Sequence, residues 1–248
     1  MTERLLLLLP PSQGKATGGR RSNKIGMFDD VLAGPRRQIL TSLHALLPTS
    51  TLKQRSTLFS AQGPLLERAT ASILDIEGGK VPLLPAWRRY EGVVWTHLDP
   101  SSLTPAQRRG ILVPSGLYGL LSCEDPIADY RLKMNASVAP LGTLARFWRP
   151  TLTSVLGQHS KNEIIVNFLP HEHAASIDFT GLSKSRRVIH VHFVAADEKR
   201  AVGHDAKAVK GVVARRVLVE GTGVLDDMEW QGWKVRREGN DVFVAASV

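Results

Sequence analysis

Apolar residues along this chain follow two rhythms: short unbroken runs, and stretches where they return every third or fourth position. Leu5–Leu9 is an unbroken run, Ile164–Leu169 and Val188–Val194 are mostly apolar and rich in β-branched side chains, and each reads as a buried strand. Helical spacing predicts a helix with Pro35 in its first turn and Ile39, Leu40, Leu43 and Leu47 on one side. A second covers Leu65–Ile76, with Leu65, Leu66, Ala69 and Ile73 inward. Thr104-Pro105 is a cap and first-turn pair for a helix over Thr104–Leu112, and Leu141–Leu156 reads as a helix interrupted by Pro150. Asp205–Val219 reads as a helix closed by Gly221. Gly92–Trp95 reads as a short strand, and Ala16–Lys24 as a mobile, Gly-rich basic loop. The tail forms a hairpin, Trp233 to Val244, turning at Glu238-Gly-Asn-Asp241. This alternation predicts a mixed α/β (α+β) architecture, a mixed sheet with flanking helices, in a single unit over residues 1–248 or two interlocked lobes around a cleft.

At 248 residues and 43% hydrophobic content the chain has ample core. The Leu5–Leu9 run is too short to cross a bilayer and no small-residue cleavage site follows it, so no membrane partner is expected. Cys123 is the single cysteine, which excludes an internal disulfide framework and fits a reducing, cytoplasmic setting. No catalytic-cysteine signature surrounds it, so it reads as a small packed side chain. A net charge of +9 and a pI near 10.0 point to an acidic partner, most simply nucleic acid. Arg-Arg pairs recur, as at Arg36-Arg37 and Arg215-Arg216, but neighbouring residues point in different directions and make no stripe by themselves.

Candidate chemistry concentrates in a few segments. In Pro114-Ser-Gly-Leu-Tyr-Gly119, Gly116 and Gly119 frame Tyr118 in a sharp turn whose N–H groups suit a phosphate, with Tyr130, Arg131 and Lys133 close behind. Pro10-Pro-Ser-Gln-Gly-Lys15 resembles a phosphate loop only superficially. Its first glycine is absent and Ala16 stands where a magnesium-holding Ser or Thr belongs. Lys15 still offers an ammonium at a strand end. On the 205–219 helix, Lys207, Gly211 and Arg215 are spaced by four with Lys210 beside them, and His204 precedes them. This row reads as ligand-facing, with the glycine admitting a phosphate or backbone. His190 and His192 share a strand face and His171-Glu172-His173 adds donors. Without further ligands at recognised spacing these read as packing or groove histidines, and no metal or other cofactor is expected.

Taken in order, several pieces resemble the YaaA peroxide-stress-protein family nearly end to end. They are the first strand with Pro-Pro-Ser-Gln-Gly-Lys15, then Tyr90-Glu-Gly-Val-Val-Trp95, then Ser115-Gly-Leu-Tyr-Gly119 with Tyr130-Arg-Leu-Lys-Met134. Phe147-Trp148, Asn167 with Glu172, and His204-Asp-Ala-Lys207 with Lys210-Gly211 and Arg215 complete them. The resemblance implies a cytoplasmic protein of peroxide defence that limits iron-driven damage to DNA. It also implies DNA binding through a positively charged cleft and a helix-hairpin-helix-like element. Carried onto this chain, the hairpin falls at Pro114–Gly119, and Lys15, Arg131, Lys133, Lys207, Lys210 and Arg215 line the cleft. Ser115, Gly116, Tyr118, Gly119, Tyr130, Asn167, His204 and Gly211 complete the anion-binding set. The chain departs from the family at Lys210, where arginine is common, and at His171 and His173. The alternative is an enzyme acting on a nucleotide or other small anionic substrate, with Glu172 as acid or base and Lys207 as anion clamp.

Overall fold

Five apolar runs lie side by side because each can be buried on both faces. The computed structural model describes residues 4–22, 26–76, 81–194 and 204–246. Its main sheet contains β1 (Arg4–Leu8), β2 (Ile111–Ser115), β3 (Gly119–Ser122), β4 (Glu163–Asn167), β5 (Val188–Val194), β6 (Glu229–Trp230), β7 (Trp233–Glu238) and β8 (Asp241–Ala246). The spatial order is β6-β7-β8-β5-β4-β1-β2-β3. Strands β2, β1, β4, β5 and β8 run parallel, with Leu5 opposite Ile164 and Leu8 opposite Asn167 in the β1–β4 pair. The outer strands β3, β7 and β6 are antiparallel additions, so the sheet is mixed.

The helices flanking the sheet are α1 (Asp29–Leu46), α2 (Leu52–Phe59), α3 (Gly63–Ile76), α4 (Val93–Leu98), α5 (Leu144–His159) and α6 (His204–Glu220). α1 and α5 meet β3, and α6 meets both β1 and α4. One core runs through the molecule, with Leu7, Leu8, Ile165 and Val166 from the sheet and Leu32, Ile39, Trp148 and Val213 from the helices all buried. No helix among the described residues is long and apolar enough to cross a membrane.

Five elements differ from the sequence expectation. α1 starts at Asp29, whose acidic first turn suits the helix dipole, so Pro35 lies inside the helix. The carbonyl that Pro35 leaves without a helical donor belongs to Val31, an exposed residue. Gly92–Trp95 belongs to a helix, not a strand. Gly92 adopts a φ of 137° at the helix cap, and the Trp95 indole donates to the Pro10 carbonyl at 3.1 Å, which outweighs the β-propensity of the valines. The helix after Thr104 ends at Arg109, and Ile111 enters β2 directly. Its start is as expected, with Thr104 and Gln107 forming a capping box. Within the loop after Lys15, residues 16–22 are pinned, because Ala16 bonds Arg89 and Arg20 pairs with Leu83. Residues 23 and 24 lie outside the described residues. Pro150 sits within a continuous α5 instead of interrupting it.

Candidate functional site

The carboxyl ends of parallel strands are where open α/β sheets place their ligands. Here β1 and β4 end side by side. Beyond β1 the chain passes through Pro10 and Pro11, then folds back so that Gly14–Lys15 pairs with Tyr90–Glu91. The Ser12 hydroxyl donates to the Glu91 carbonyl. A side chain at Gly92 would meet that hydroxyl at 2.6 Å, so the glycine is required there. Beyond β4, the Asn167 carboxamide oxygen accepts from the Leu169 N–H at 3.0 Å, and Pro170 opens a helical turn carrying Glu172 and His173. Lys207 and Lys210 approach from α6. Together these segments enclose a crevice of about 690 Å³, within the size range of small-molecule sites.

The electrostatics of the crevice are set by burial. His173 is 7% exposed, and its Nδ1 has no hydrogen-bond partner among the described residues, with Glu172 Oε1 3.4 Å away. Burial, aided by the Lys210 charge, lowers its pKa to about 4, so the imidazole is neutral at physiological pH. Lys210 donates to the Phe168 carbonyl at 2.8 Å, and its pKa falls to about 8 through burial and then the Lys207 charge. Lys207 is exposed at the crevice edge. The result is a cationic rim around a neutral histidine and a carboxylate.

Beside the crevice lies a second cluster. Lys15 is 9% exposed, and its ammonium donates to the Ser12 carbonyl at 2.8 Å. It sits 4.5 Å from the Tyr130 ring centroid and 5.5 Å from that of Tyr90. Desolvation lowers its pKa to about 7. The Ser115 hydroxyl donates to the Tyr130 oxygen at 2.7 Å, and the Tyr130 and Tyr90 hydroxyls share a hydrogen bond of 2.9 Å. Burial pushes the Tyr130 phenol up to about 12 and raises Tyr90 also. The Tyr118 N–H donates to Ser115 Oγ at 3.1 Å, and the Tyr118 ring stands edge-on to Tyr130.

Other nominated residues are placed as braces or elsewhere. Pro114–Gly119 connects two strands of a β-hairpin instead of two helices. Gly116 gives its carbonyl to the Trp148 indole at 2.9 Å, and a side chain at Gly119 would strike the Trp148 ring. The hairpin turn is therefore packed. Arg131 bonds the carbonyls of Phe59, Ser60 and Gln13 and reaches the Gln13 side chain at 2.7 Å, which anchors the strand-end loop. Arg215 bonds Leu98 O, Asp99 O and Ser102 Oγ. Gly211 is the contact point of two helices, since a Cβ there would lie 2.4 Å from the Val94 carbonyl oxygen. Lys133 lines a separate cavity of about 590 Å³ near α2. Asn167 faces His190 at 3.1 Å, and His192 pairs with Asp241 at 2.8 Å. His204 begins α6. Among the described residues no three His, Cys, Asp or Glu side chains gather as a metal site.

Four residues of the site were not nominated from the sequence: Ser12, Gln13, Tyr90 and Glu91. All four sit inside the motifs that carried the family resemblance, which was the signal available. Arg89 had none. It is 1% exposed and donates to the carbonyls of Ala16, Gly18, Pro82 and Ile127, tying down the chain that follows Lys15.

Comparison with known proteins bears on the whole chain. A family profile described as peroxide stress protein YaaA matches residues 5–238. A UPF0246 protein of Streptomyces coelicolor is 32% identical over 224 residues, covering 88% of this chain and 84% of its own. A UPF0246 protein of Corynebacterium efficiens is 28% identical over 218 residues, covering 85% and 84%. One from Flavobacterium johnsoniae is 29% identical over 169 residues, covering 60% and 64%.

Proposed function

The chain belongs to the YaaA peroxide stress family, and from that premise we propose that it binds DNA by taking one phosphate-bearing, unpaired nucleotide into the crevice at the ends of β1 and β4. In this reading it works in the cytoplasm and limits iron-driven damage to DNA through that contact. One observation carries the reading. The crevice, of about 690 Å³, gathers Lys207, Lys210, His173 and Glu172, whereas Arg131 and Arg215 are tied to backbone carbonyls and Lys133 faces another cavity. Cations so divided suit a single nucleotide better than a long duplex track. Neutral His173, whose Nδ1 has no hydrogen-bond partner among the described residues, can donate to a phosphate oxygen or accept from a sugar hydroxyl.

Fluorescence anisotropy with single-stranded, gapped and blunt duplex DNA over a salt series tests this. The expected result is preference for unpaired ends or gaps, with a log–log salt slope of about −1 to −2, because few phosphates are neutralised. Lys207→Ala should flatten that slope by about 0.7. Tight blunt-duplex binding with a steep slope that Lys207→Ala leaves unchanged would overturn the proposal.

A second reading has its own observation. Glu172, half-buried and 3.4 Å from neutral His173 Nδ1, suits an acid or base acting on a small anionic substrate. Turnover of a free nucleotide, abolished by Glu172→Gln while binding persists, would favour that reading.

A further inference from the structure

We infer that Lys15 captures carbonyl groups, its side-chain amine forming an imine with a small phosphate-bearing aldehyde admitted through the crevice. The inference rests on the crevice reading for the phosphate and on the tyrosine cluster for the chemistry. Geometry supports it first. The amine is held at 2.8 Å by the carbonyl of Ser12, a crevice-lining residue, and lies between the Tyr90 and Tyr130 rings. No ion pair neutralises it among the described residues. Asp129 is the one acidic group favouring its charge, and that carboxylate is already bridged to Arg68 at 3.1 Å. Arg131, Arg89 and Arg68 all oppose the ammonium, as does burial. A lysine desolvated beside other cations is the usual setting of an amine nucleophile.

The step balances without an oxidant. The Lys15 nitrogen lone pair attacks the aldehyde carbon, and the carbonyl electron pair moves to oxygen, which takes up the proton released from nitrogen. The resulting carbinolamine hydroxyl is protonated and leaves as water, and loss of the second nitrogen proton gives the neutral imine. The amine meets the faces of the Tyr90 and Tyr130 rings, not their hydroxyls, which are bonded to each other and to Ser115 at 2.9 and 2.7 Å, so the rings desolvate the amine and water exchanges these protons.

The aldehyde has two sources of the same chemistry: a free phosphorylated aldehyde, or the open-chain sugar of a base-less nucleotide in DNA. The full-length protein is incubated with glycolaldehyde phosphate in one arm, and with a single-stranded oligonucleotide carrying one abasic site in the other. Sodium cyanoborohydride reduces any imine, and peptide mapping locates the adduct. An adduct at Lys15, with a rate half-maximal near pH 7, is expected, because at that pH its free-amine fraction exceeds an ordinary lysine's on the order of a thousandfold. Lys15→Arg should abolish it. A Lys15 adduct in one arm only supports the inference and identifies the source. Labelling spread over exposed lysines, rising toward pH 10 with Lys15 unmodified, overturns it, and wild-type mapping reads this without any variant. If the nucleotide reading alone fails, the oligonucleotide will not bind, yet glycolaldehyde phosphate will still be trapped at Lys15.

Discussion

At Lys15, desolvation outweighs the attraction of Asp129, and the pKa drops from 10.5 to about 7. The unfolded chain therefore binds the extra proton between pH 7 and 10.5. Lys15 costs the native state most at and below pH 7, and that cost disappears by about pH 10.5. Lys15→Met should raise stability at pH 6 by up to about 4 kcal/mol, the gain shrinking as pH approaches 10. Urea titrations at the two pH values check this, and an equal effect at both would refute it. Arg89 instead holds the fold together. Arg89→Ala leaves the carbonyls of Ile127, Ala16, Gly18 and Pro82, the first buried and the others part-buried, without their donor and should cost about 2–3 kcal/mol in the same titration. The sequence nominated Lys15, Ser115, Tyr118 and Tyr130, and the fold brings them together. Arg89 was illegible because an arginine satisfied by main-chain carbonyls leaves no pattern of partner side chains. His173 read from the sequence as a packing or groove histidine and a departure from the family, because its chemistry comes from burial and burial is a property of the fold.

Among the elements, the packing of α6 on α4 separates two readings of one row of residues. The spacing of Lys207, Gly211 and Arg215 was correctly read as one side of a helix, but what that side meets depends on α4, which the valines of Gly92–Trp95 disguised as a strand. In the structure Gly211 admits the α4 backbone and Arg215 caps its carboxyl end. Gly211→Ala would ordinarily stabilise a helix by about 1 kcal/mol. Here the added methyl would lie 2.4 Å from the Val94 oxygen, so a loss of roughly 2 kcal/mol is expected by thermal denaturation. Arg215→Ala should likewise lower Tm, by an amount matching roughly 1–3 kcal/mol, while leaving the salt slope of DNA binding unchanged. An altered slope with unaltered Tm would return Arg215 to the ligand site. The strands were the most legible elements, since β1, β4 and β5 are short, mostly apolar runs. Helix limits were less so, because the true start of α1 is marked by Asp29 and Asp30 and not by its proline.

For the whole molecule, the mixed sheet and its flanking helices followed from the alternation of patterns, but the strand order did not. Nothing local in the sequence says that β1 lies between β2 and β4, and it is this adjacency that gathers residues 12, 91, 172, 173, 207 and 210 around one crevice. Burial of its bases also gives the molecule an unusual pH response. His173 titrates at about 4, Lys15 at about 7 and Lys210 at about 8, all below their ordinary values. Their contribution to stability falls on acidification from 6.5 to 4 and rises from pH 7 to 10. Unfolding free energy should thus increase between pH 6 and 9, as urea titrations can read, where most domains have already reached their optimum. Calorimetric titration of a deoxynucleoside 5′-monophosphate into the wild type, Lys207→Ala and Lys133→Ala tests the crevice most directly. The expected result is one site, weakened about tenfold or more by Lys207→Ala and untouched by Lys133→Ala. Equal weakening by both substitutions, or duplex binding without any mononucleotide site, would contradict it.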